Sequence, residues 1–342
     1  MPIRMTLLVM ALAALAAPFA ASTAPTNSPT GKIAFATDRA GNLRRAVIYS
    51  VGLEGRGRHF VARPEPPVQW LSRSPDGRLI AYTGWEGSRS MLYVSGVSGA
   101  YPTKIPAPEG QFLDPVFSRD STKLAVMRSV PCGSGCYRPQ IDVVRADGTG
   151  LHRVAEIGGR PSWSPDGRRL VYQNGFDIRV VGSDARNDRL VGSGYLPQWA
   201  PRGKRVVFIA TRRGFGVACF VDADGSHEQC GRGFSAKSIL WAPDGKSIAF
   251  RHSRKGRLGI LDAHGRNLRL LGKRADRITP AAWSPDGRKL AFFEGASHAQ
   301  IFVRDIRGSH QVRQVTHEPE STTFSNVQWR NGRISYVARL EV

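Results

Sequence analysis

The 342-residue sequence predicts an all-β protein made of repeated antiparallel sheets, and three observations support this. A ten-residue phrase recurs as WSPDGRRLVY (163–172), WAPDGKSIAF (241–250) and WSPDGRKLAF (283–292). Its turn position recurs along the chain at intervals of 36 to 46 residues. Each interval contains short apolar segments that are separated by turn residues. Four antiparallel strands in each repeat of about 40–45 residues form the blade of a β-propeller.

The number of blades follows from the turn positions, which are 31, 77, 121, 167, 203, 245, 287 and 332. These eight positions enclose seven intervals, so we expect seven four-stranded antiparallel blades, with six or eight as alternatives. The ring should close where Val327–Trp329 pairs with the N-terminal strands, around Ile33–Phe35 or Val47–Tyr49. This leaves Ile334–Val342 as an extra or competing strand.

Each repeat contains a tight turn between its first and second strands. In Ser-Pro-Asp-Gly, the proline fixes φ, the aspartate favours the bend and the glycine accepts positive φ. We therefore interpret the aspartates as turn residues rather than calcium ligands. Ser121 replaces the glycine in the third repeat, which predicts a strained or different turn, and Arg202 replaces the aspartate in the fifth. The repeat turn residues are Pro75, Asp76, Gly77, Pro165, Asp166, Gly167, Pro243, Asp244, Gly245, Pro285, Asp286 and Gly287.

The N-terminal segment differs from the repeats. Arg4 precedes a 12-residue apolar run (6–17), and small residues follow it up to Ala24. Such a run suits a signal peptide and is shorter than a membrane-spanning helix of about 20 residues. We predict a signal peptide at 1–24, a short linker at 25–30 and a single propeller domain at 31–342. The protein is then exported, to the periplasm or the medium, without a transmembrane anchor.

The chain is strongly basic, with a formal net charge of +22. Removing residues 1–24 takes away one arginine and no acid, which leaves +21. Such an excess is typical of proteins that bind polyanions. Export argues against nucleic acid, so an anionic envelope polymer or surface is the better polyanion candidate.

The repeat resembles a known family. The phrase P-x-W-S-P-D-G-x-x-I/L-A-F, which Pro161–Tyr172 matches up to its last two positions, is similar to the WD40-like propeller repeat of the TolB family, and the resemblance covers about residues 31–340. It implies a periplasmic protein that contacts an outer-membrane lipoprotein and supports envelope integrity. TolB carries an α/β domain ahead of its propeller, and we expect no such domain here.

No constellation for catalysis, a metal or a cofactor stands out. The sequence has no G-x-S-x-G elbow and no H-E-x-x-H, and the Asp-Ala-Asp-Gly segment at 222–225 is interpreted as a hairpin turn. The four cysteines form two local pairs, Cys132 with Cys136 and Cys219 with Cys230, and export permits disulfides. The second pair flanks the turn at 222–225 symmetrically, so an unbulged hairpin places its members opposite each other. The tryptophans recur at one strand position, which predicts core residues.

The leading hypothesis is an exported, non-catalytic and monomeric scaffold that binds another envelope or secreted protein. The alternative is binding of an anionic polymer through arginine-rich loops, and a propeller enzyme is the lesser alternative. The connections between second and third strands carry the candidate contact residues Arg44, Arg45, Arg89, Arg138, Arg212, Arg213, Arg254 and Lys255. Basic residues also occur in the turns at the opposite end, namely Arg78, Lys123, Arg168, Lys204, Lys246 and Arg288.

Overall fold

The computed structural model describes residues 35–36, 48–52, 59–62, 68–96, 101–107, 109–133, 135–231, 236–252, 255–272, 278–295, 300–308, 311–316, 322–330 and 333–340. These residues form 29 strands and no helix. Accordingly, no helix within these ranges has the length and hydrophobicity to cross a bilayer.

The first half of the chain contributes β1 to β15. In chain order they are β1 (Phe35–Ala36), β2 (Ile48–Gly52), β3 (His59–Ala62), β4 (Val68–Arg73), β5 (Leu79–Glu86), β6 (Arg89–Gly96), β7 (Thr103–Ile105), β8 (Gln111–Phe117), β9 (Lys123–Gly133), β10 (Cys136–Arg145), β11 (His152–Ala155), β12 (Gly159–Trp163), β13 (Arg169–Asn174), β14 (Asp177–Gly182) and β15 (Arg189–Ser193).

The second half contributes β16 to β29. They are β16 (Tyr195–Trp199), β17 (Arg205–Arg212), β18 (Phe215–Asp222), β19 (Gln229–Cys230), β20 (Ala236–Trp241), β21 (Ser247–His252), β22 (Arg257–Asp262), β23 (Arg269–Leu271), β24 (Ile278–Trp283), β25 (Lys289–Glu294), β26 (Gln300–Asp305), β27 (Val312–Gln314), β28 (Thr322–Arg330) and β29 (Arg333–Leu340).

Six sheets have four consecutive antiparallel strands, from β4–β7 through β24–β27. The predicted four-stranded blade is confirmed in these six. First strands of neighbouring sheets contact one another, β28 also contacts β4, and the first strands therefore surround the axis. The remaining sheet has five strands and joins β1–β3 with β28 and β29, so the number seven stays a prediction.

The closing sheet corrects one expectation. The strand that meets the N-terminal strands is β29, with Val51 opposite Ile334 and Gly52 opposite Arg333. The segment Val327–Trp329 lies in β28, which pairs with β29 instead. Because β28 and β29 form a hairpin, the segment from Ile334 onward, which was expected to be an extra or competing strand, lies between β28 and β2 in this sheet.

Hydrophobic cores lie between neighbouring sheets. On β17, Phe208 packs among residues of the preceding sheet, while Val207 and Ile209 pack toward the following one. Strands that are buried on both faces need near-continuous apolar runs, which explains sequences such as VVFIA at 206–210. The tryptophans Trp163, Trp199, Trp241 and Trp283 are buried in these cores, which confirms their predicted role.

Candidate functional site

The Ser-Pro-Asp-Gly turns define one end of the propeller, called the turn face here. In the turn at 164–169, the Ser164 hydroxyl donates to Asp166 Oδ1 and accepts from Arg169 N at 2.9 Å. Asp166 also accepts from Arg168 N at 3.0 Å. Partial burial acts to raise the pKa of Asp166, but these hydrogen bonds and the nearby arginines hold it below its ordinary value. The carboxylate therefore stabilises its own turn.

The third turn keeps this geometry despite its serine. Ser121 adopts φ of 64°, in the left-handed region that glycine occupies in the other turns, so the predicted strain is confirmed. The Ser121 hydroxyl accepts a hydrogen bond from Asp76 N of the preceding turn at 3.1 Å. This bond links two neighbouring blades and offsets part of the strain.

A funnel of about 770 Å³ opens along the axis at the turn face. Its wall includes tryptophans whose indole N–H groups donate to the preceding blade. Trp163 Nε1 donates to Val116 O at 2.9 Å, and Trp283 Nε1 donates to Leu240 O at 3.2 Å. Arg119 also donates to Pro201 O, two blades away, at 2.9 Å. The polar groups of the funnel thus largely hold the blades together.

The hairpins between second and third strands define the opposite end, called the hairpin face here. Of the predicted contact residues, Arg89, Arg138, Arg212, Arg213 and Lys255 are exposed on this face. Arg212 pairs with Glu228 at 3.1 Å, whereas the side chains of the other four make no ion pair with a described residue. Arg44, Arg45 and Arg254 lie outside the described residues.

Exposed aromatic side chains also lie on the hairpin face. Trp85, Tyr137, Phe176 and Phe215 come from the hairpins of four consecutive blades, between β5 and β18. Their exposed fractions are 40%, 58%, 74% and 38%, respectively. Each of these large exposed side chains would be stabilised by burial in a complex. We call these four side chains the aromatic arc.

A pocket of about 380 Å³ lies at the axis on the hairpin face, enclosed by the blades that contribute Trp85, Tyr137 and Phe176. Asp114 of β8 and Arg160 of β12 line it. Burial raises the pKa of Asp114, and the positive charge of Arg160 acts in the opposite direction. The remaining wall is formed mainly by apolar side chains and glycines. They are Trp70, Met127, Pro139, Ile157, Gly158, Gly159, Gln173 and Gly175.

Backbone bulges position the two charged groups. Asp114 and Arg160 have φ of 50° and 52°, and Leu196 occupies the corresponding place in β16 with φ of 55°. Each of these residues directly precedes a proline, and the pairing register shifts there in all three first strands. The sequence analysis did not identify this site. An alignment of the repeats on Pro115, Pro161 and Pro197 would have shown that the preceding residue is an acid, a base and a leucine, respectively.

Both cysteine pairs form disulfides. Cys219 and Cys230 lie directly opposite in β18 and β19, with their Cα atoms 4.0 Å apart. Cys132 and Cys136 close the hairpin of β9 and β10, with their Cα atoms 5.1 Å apart. Glu228 lies near the Cys219–Cys230 pair, but both sulfurs are in the bridge and are not available as thiolate ligands for a metal ion.

Comparison with known families decides the relationship. The family described as TolB beta propeller domain matches residues 30–257. The chain belongs to this family. The N-terminal region of dipeptidyl peptidase IV also matches, over residues 234–342.

Three relatives illustrate the range of similar proteins. A protein TolB homolog from Chlorobium chlorochromatii is 26% identical over 141 residues, which span 41% of this chain and 30% of that protein. The structure of a putative TolB from Agrobacterium tumefaciens matches with a TM-score of 0.52 and 18% identity, over 86% of this chain and 98% of that one. A puromycin-hydrolyzing peptidase from Mycobacterium tuberculosis matches with a TM-score of 0.64 and 16% identity, over 90% of this chain and 58% of that one.

These structural likenesses show the fold, since propellers of this shape occur in proteins of several kinds. At a coarse level, the TolB-like propeller supports a protein-interaction scaffold.

Proposed function

We propose that this protein is an exported, non-catalytic scaffold that binds another envelope or secreted protein through its hairpin face. The observation that carries the proposal is the aromatic arc, which is exposed beside arginines that have no ion-pair partner among the described residues. Tryptophan, tyrosine and arginine are the residues that dominate the energetics of protein interfaces. The predicted signal peptide supports export.

The turn face is the poorer candidate for binding. Its repeated aspartates accept hydrogen bonds from their own turns, as Asp166 and Asp286 both do. Its funnel is lined by tryptophans and prolines that hold neighbouring blades. Binding there would compete with contacts that stabilise the propeller.

Binding without catalysis is supported by the chemistry of the hairpin-face pocket. Its lining residues provide one carboxyl group and one guanidinium group, but no hydroxyl, thiol or imidazole side chain. Nucleophilic catalysis requires a nucleophile within reach of a base, and this pocket supplies no such pair. A screen of the purified protein against peptidase, esterase, lactonase and glycan substrates should therefore give no turnover, whereas turnover that one substitution abolishes would contradict this part.

The test compares two matched triple variants in a pull-down from the envelope fraction of the source cell. The hairpin-face variant reverses Arg89, Arg138 and Arg213 to Glu. The turn-face variant reverses Arg78, Arg168 and Arg288 to Glu. Both change the net charge by the same amount, so a general charge effect acts on both equally. We expect the hairpin-face variant to lose capture of its protein partner and the turn-face variant to retain it.

A third variant, with Trp85, Tyr137 and Phe176 all changed to Ser, separates the two leading functions. If the partner is a protein, this variant should bind it more weakly at low and at high salt, because salt does not screen the burial of aromatic side chains. An anionic polymer is the second candidate, favoured by the hairpin-face arginines that form no ion pair with a described residue. Its binding would fall steeply with salt. Equal loss in both charge variants would contradict the assignment to the hairpin face.

A further inference from the structure

The pocket at the axis of the hairpin face contains an acceptor, the Asp114 carboxylate, that no described residue uses. The Asp114 side chain makes no hydrogen bond or ion pair with a described residue. A partly buried carboxylate without a donor is unfavourable, because desolvation of its charge is not compensated. A ligand that supplies a positively charged donor would compensate it.

The left-handed backbone at Asp114 gives the same indication. Its φ of 50° and that of its neighbour Arg160 are rare for residues with a side chain, although aspartate tolerates the conformation better than arginine does. Such strain persists where the surrounding structure imposes it, and it is concentrated at binding sites. Here it accompanies bulges in two adjacent first strands, and the bulged residues of both strands line the same pocket.

The placement of charge determines which ligand the pocket accepts. Arg160 is exposed and lies more than 4.0 Å from the Asp114 carboxylate, since the two form no ion pair. The carboxylate is thus the more deeply buried of the two charges. An anionic group that enters the pocket would be attracted by Arg160, but the negative charge of the Asp114 carboxylate would repel it.

The pocket walls suit a long side chain. Trp70, Met127, Pro139 and Ile157 provide apolar surface, and lysine and arginine bury their methylene stems against such surface while their charged ends are paired. The volume of about 380 Å³ is sufficient for one side chain of this size.

We propose that this pocket binds a lysine or arginine side chain of the protein partner, with Asp114 as its counter-ion. The inference rests on the proposed function and names the anchor of the same interface. Since basic residues stand on the outer hairpins and the carboxylate lies at the axis, the complementary partner surface is acidic around a single basic residue.

The experiment titrates the full-length protein with N-acetyl-lysine amide, N-acetyl-glutamate amide and N-acetyl-glutamine amide. Indole N–H signals in a ¹⁵N spectrum report binding, because the chain has only seven tryptophans and the Trp70→Phe variant identifies the Trp70 signal. We expect saturable shifts of the Trp70 signal with the lysine probe. The glutamate and glutamine probes should shift it at least about tenfold more weakly.

Two substitutions provide the decisive control, one that removes the negative charge of the pocket and one that removes its positive charge. Asp114→Asn should weaken the lysine probe by about tenfold or more, because it removes a charge-assisted hydrogen bond. Arg160→Ala should leave the lysine affinity unchanged or raise it by about twofold, because it removes a like charge near the ligand. The indole spectrum of each variant shows directly whether the propeller is folded.

The outcomes are distinct. Stronger binding of the glutamate or glutamine probe, or lysine binding that survives Asp114→Asn, would overturn the proposed anchor. A lysine effect that disappears with Arg160→Ala would also overturn it. If the pocket fails in this way while the hairpin-face charge variant still loses its partner, the anchor is wrong and the proposed function stands. If the lysine probe binds but the charge variant retains its partner, the proposed function is wrong.

Discussion

The bridge between Cys219 and Cys230 allows a quantitative prediction. It closes a loop with a sequence separation of 11, which corresponds to a stabilisation of about 2.8 kcal/mol through the entropy of the unfolded chain. The bridge between Cys132 and Cys136 has a separation of 4 and a corresponding value of about 1.9 kcal/mol. Loop entropy therefore favours the first bridge by about 1 kcal/mol.

Position in the fold increases this difference. Cys219 is fully buried in the core between two sheets, so its replacement by alanine also removes packed atoms. Cys230 belongs to the two-residue strand β19, which pairs with β18 at one end of its sheet. Cys132 and Cys136 are exposed at a hairpin tip, and their replacement leaves the core intact.

The assay is equilibrium urea unfolding, followed by tryptophan fluorescence, of the two double cysteine-to-alanine variants. We expect the variant without the Cys219–Cys230 bridge to lose at least about 1 kcal/mol more unfolding free energy than the variant without the other bridge. Excess reductant in the denaturation buffer should bring the wild type close to a variant without both bridges. An equal loss in the two variants, or the reverse order, would show that the Cys219–Cys230 bridge is not the more stabilising of the two.

Three further predictions concern packing, pH and the interface. Gly259→Ala should lower the unfolding free energy by about 1–3 kcal/mol in the same urea assay, because the new Cβ would lie 2.3 Å from Phe250 Cζ in the core. An unchanged urea midpoint would contradict this. The folded-state pKa of Asp166 is lowered, so its carboxylate stabilises the fold above a pH of about 4 and this contribution is lost as the pH falls further. The wild type should therefore lose more stability than Asp166→Asn between pH 5 and pH 2, and parallel losses would contradict the assignment. Phe176→Ser should leave the unfolding free energy within about 0.5 kcal/mol of the wild type while it weakens capture of the partner, because the side chain is 74% exposed. A large loss of stability would show that the side chain belongs to the core.

The repeat made much of the fold predictable. The turn residues and the recurring Trp position locate the strands, because each repeat forms the same turn between its first two strands with nearly the same residues. The opposition of Cys219 and Cys230 followed from the centring of one hairpin turn, and the register confirms it. The closing sheet was less predictable, since β29 and β1 both lie beside β2 and local propensity does not rank them.

The pocket was not predictable from the same signals. Asp114 and Arg160 reach it because first strands bulge just before a proline, and a bulge reverses which face a side chain takes. The aromatic arc was also missed, because Trp85, Tyr137, Phe176 and Phe215 occur at unlike offsets in their hairpins. Only the three-dimensional arrangement brings them to one end of the propeller.

Hydrogen exchange of the protein in complex with its captured partner shows which face of the propeller binds. We expect slowed amide exchange in the hairpins at 86–89, 135–138, 174–177 and 212–215, which present the aromatic arc and the arginines. Exchange in the turns at 74–79, 164–169 and 284–289 should match that of the free protein. Protection of those turns, with unchanged exchange in the hairpins, would contradict the assignment of the hairpin face as the binding surface.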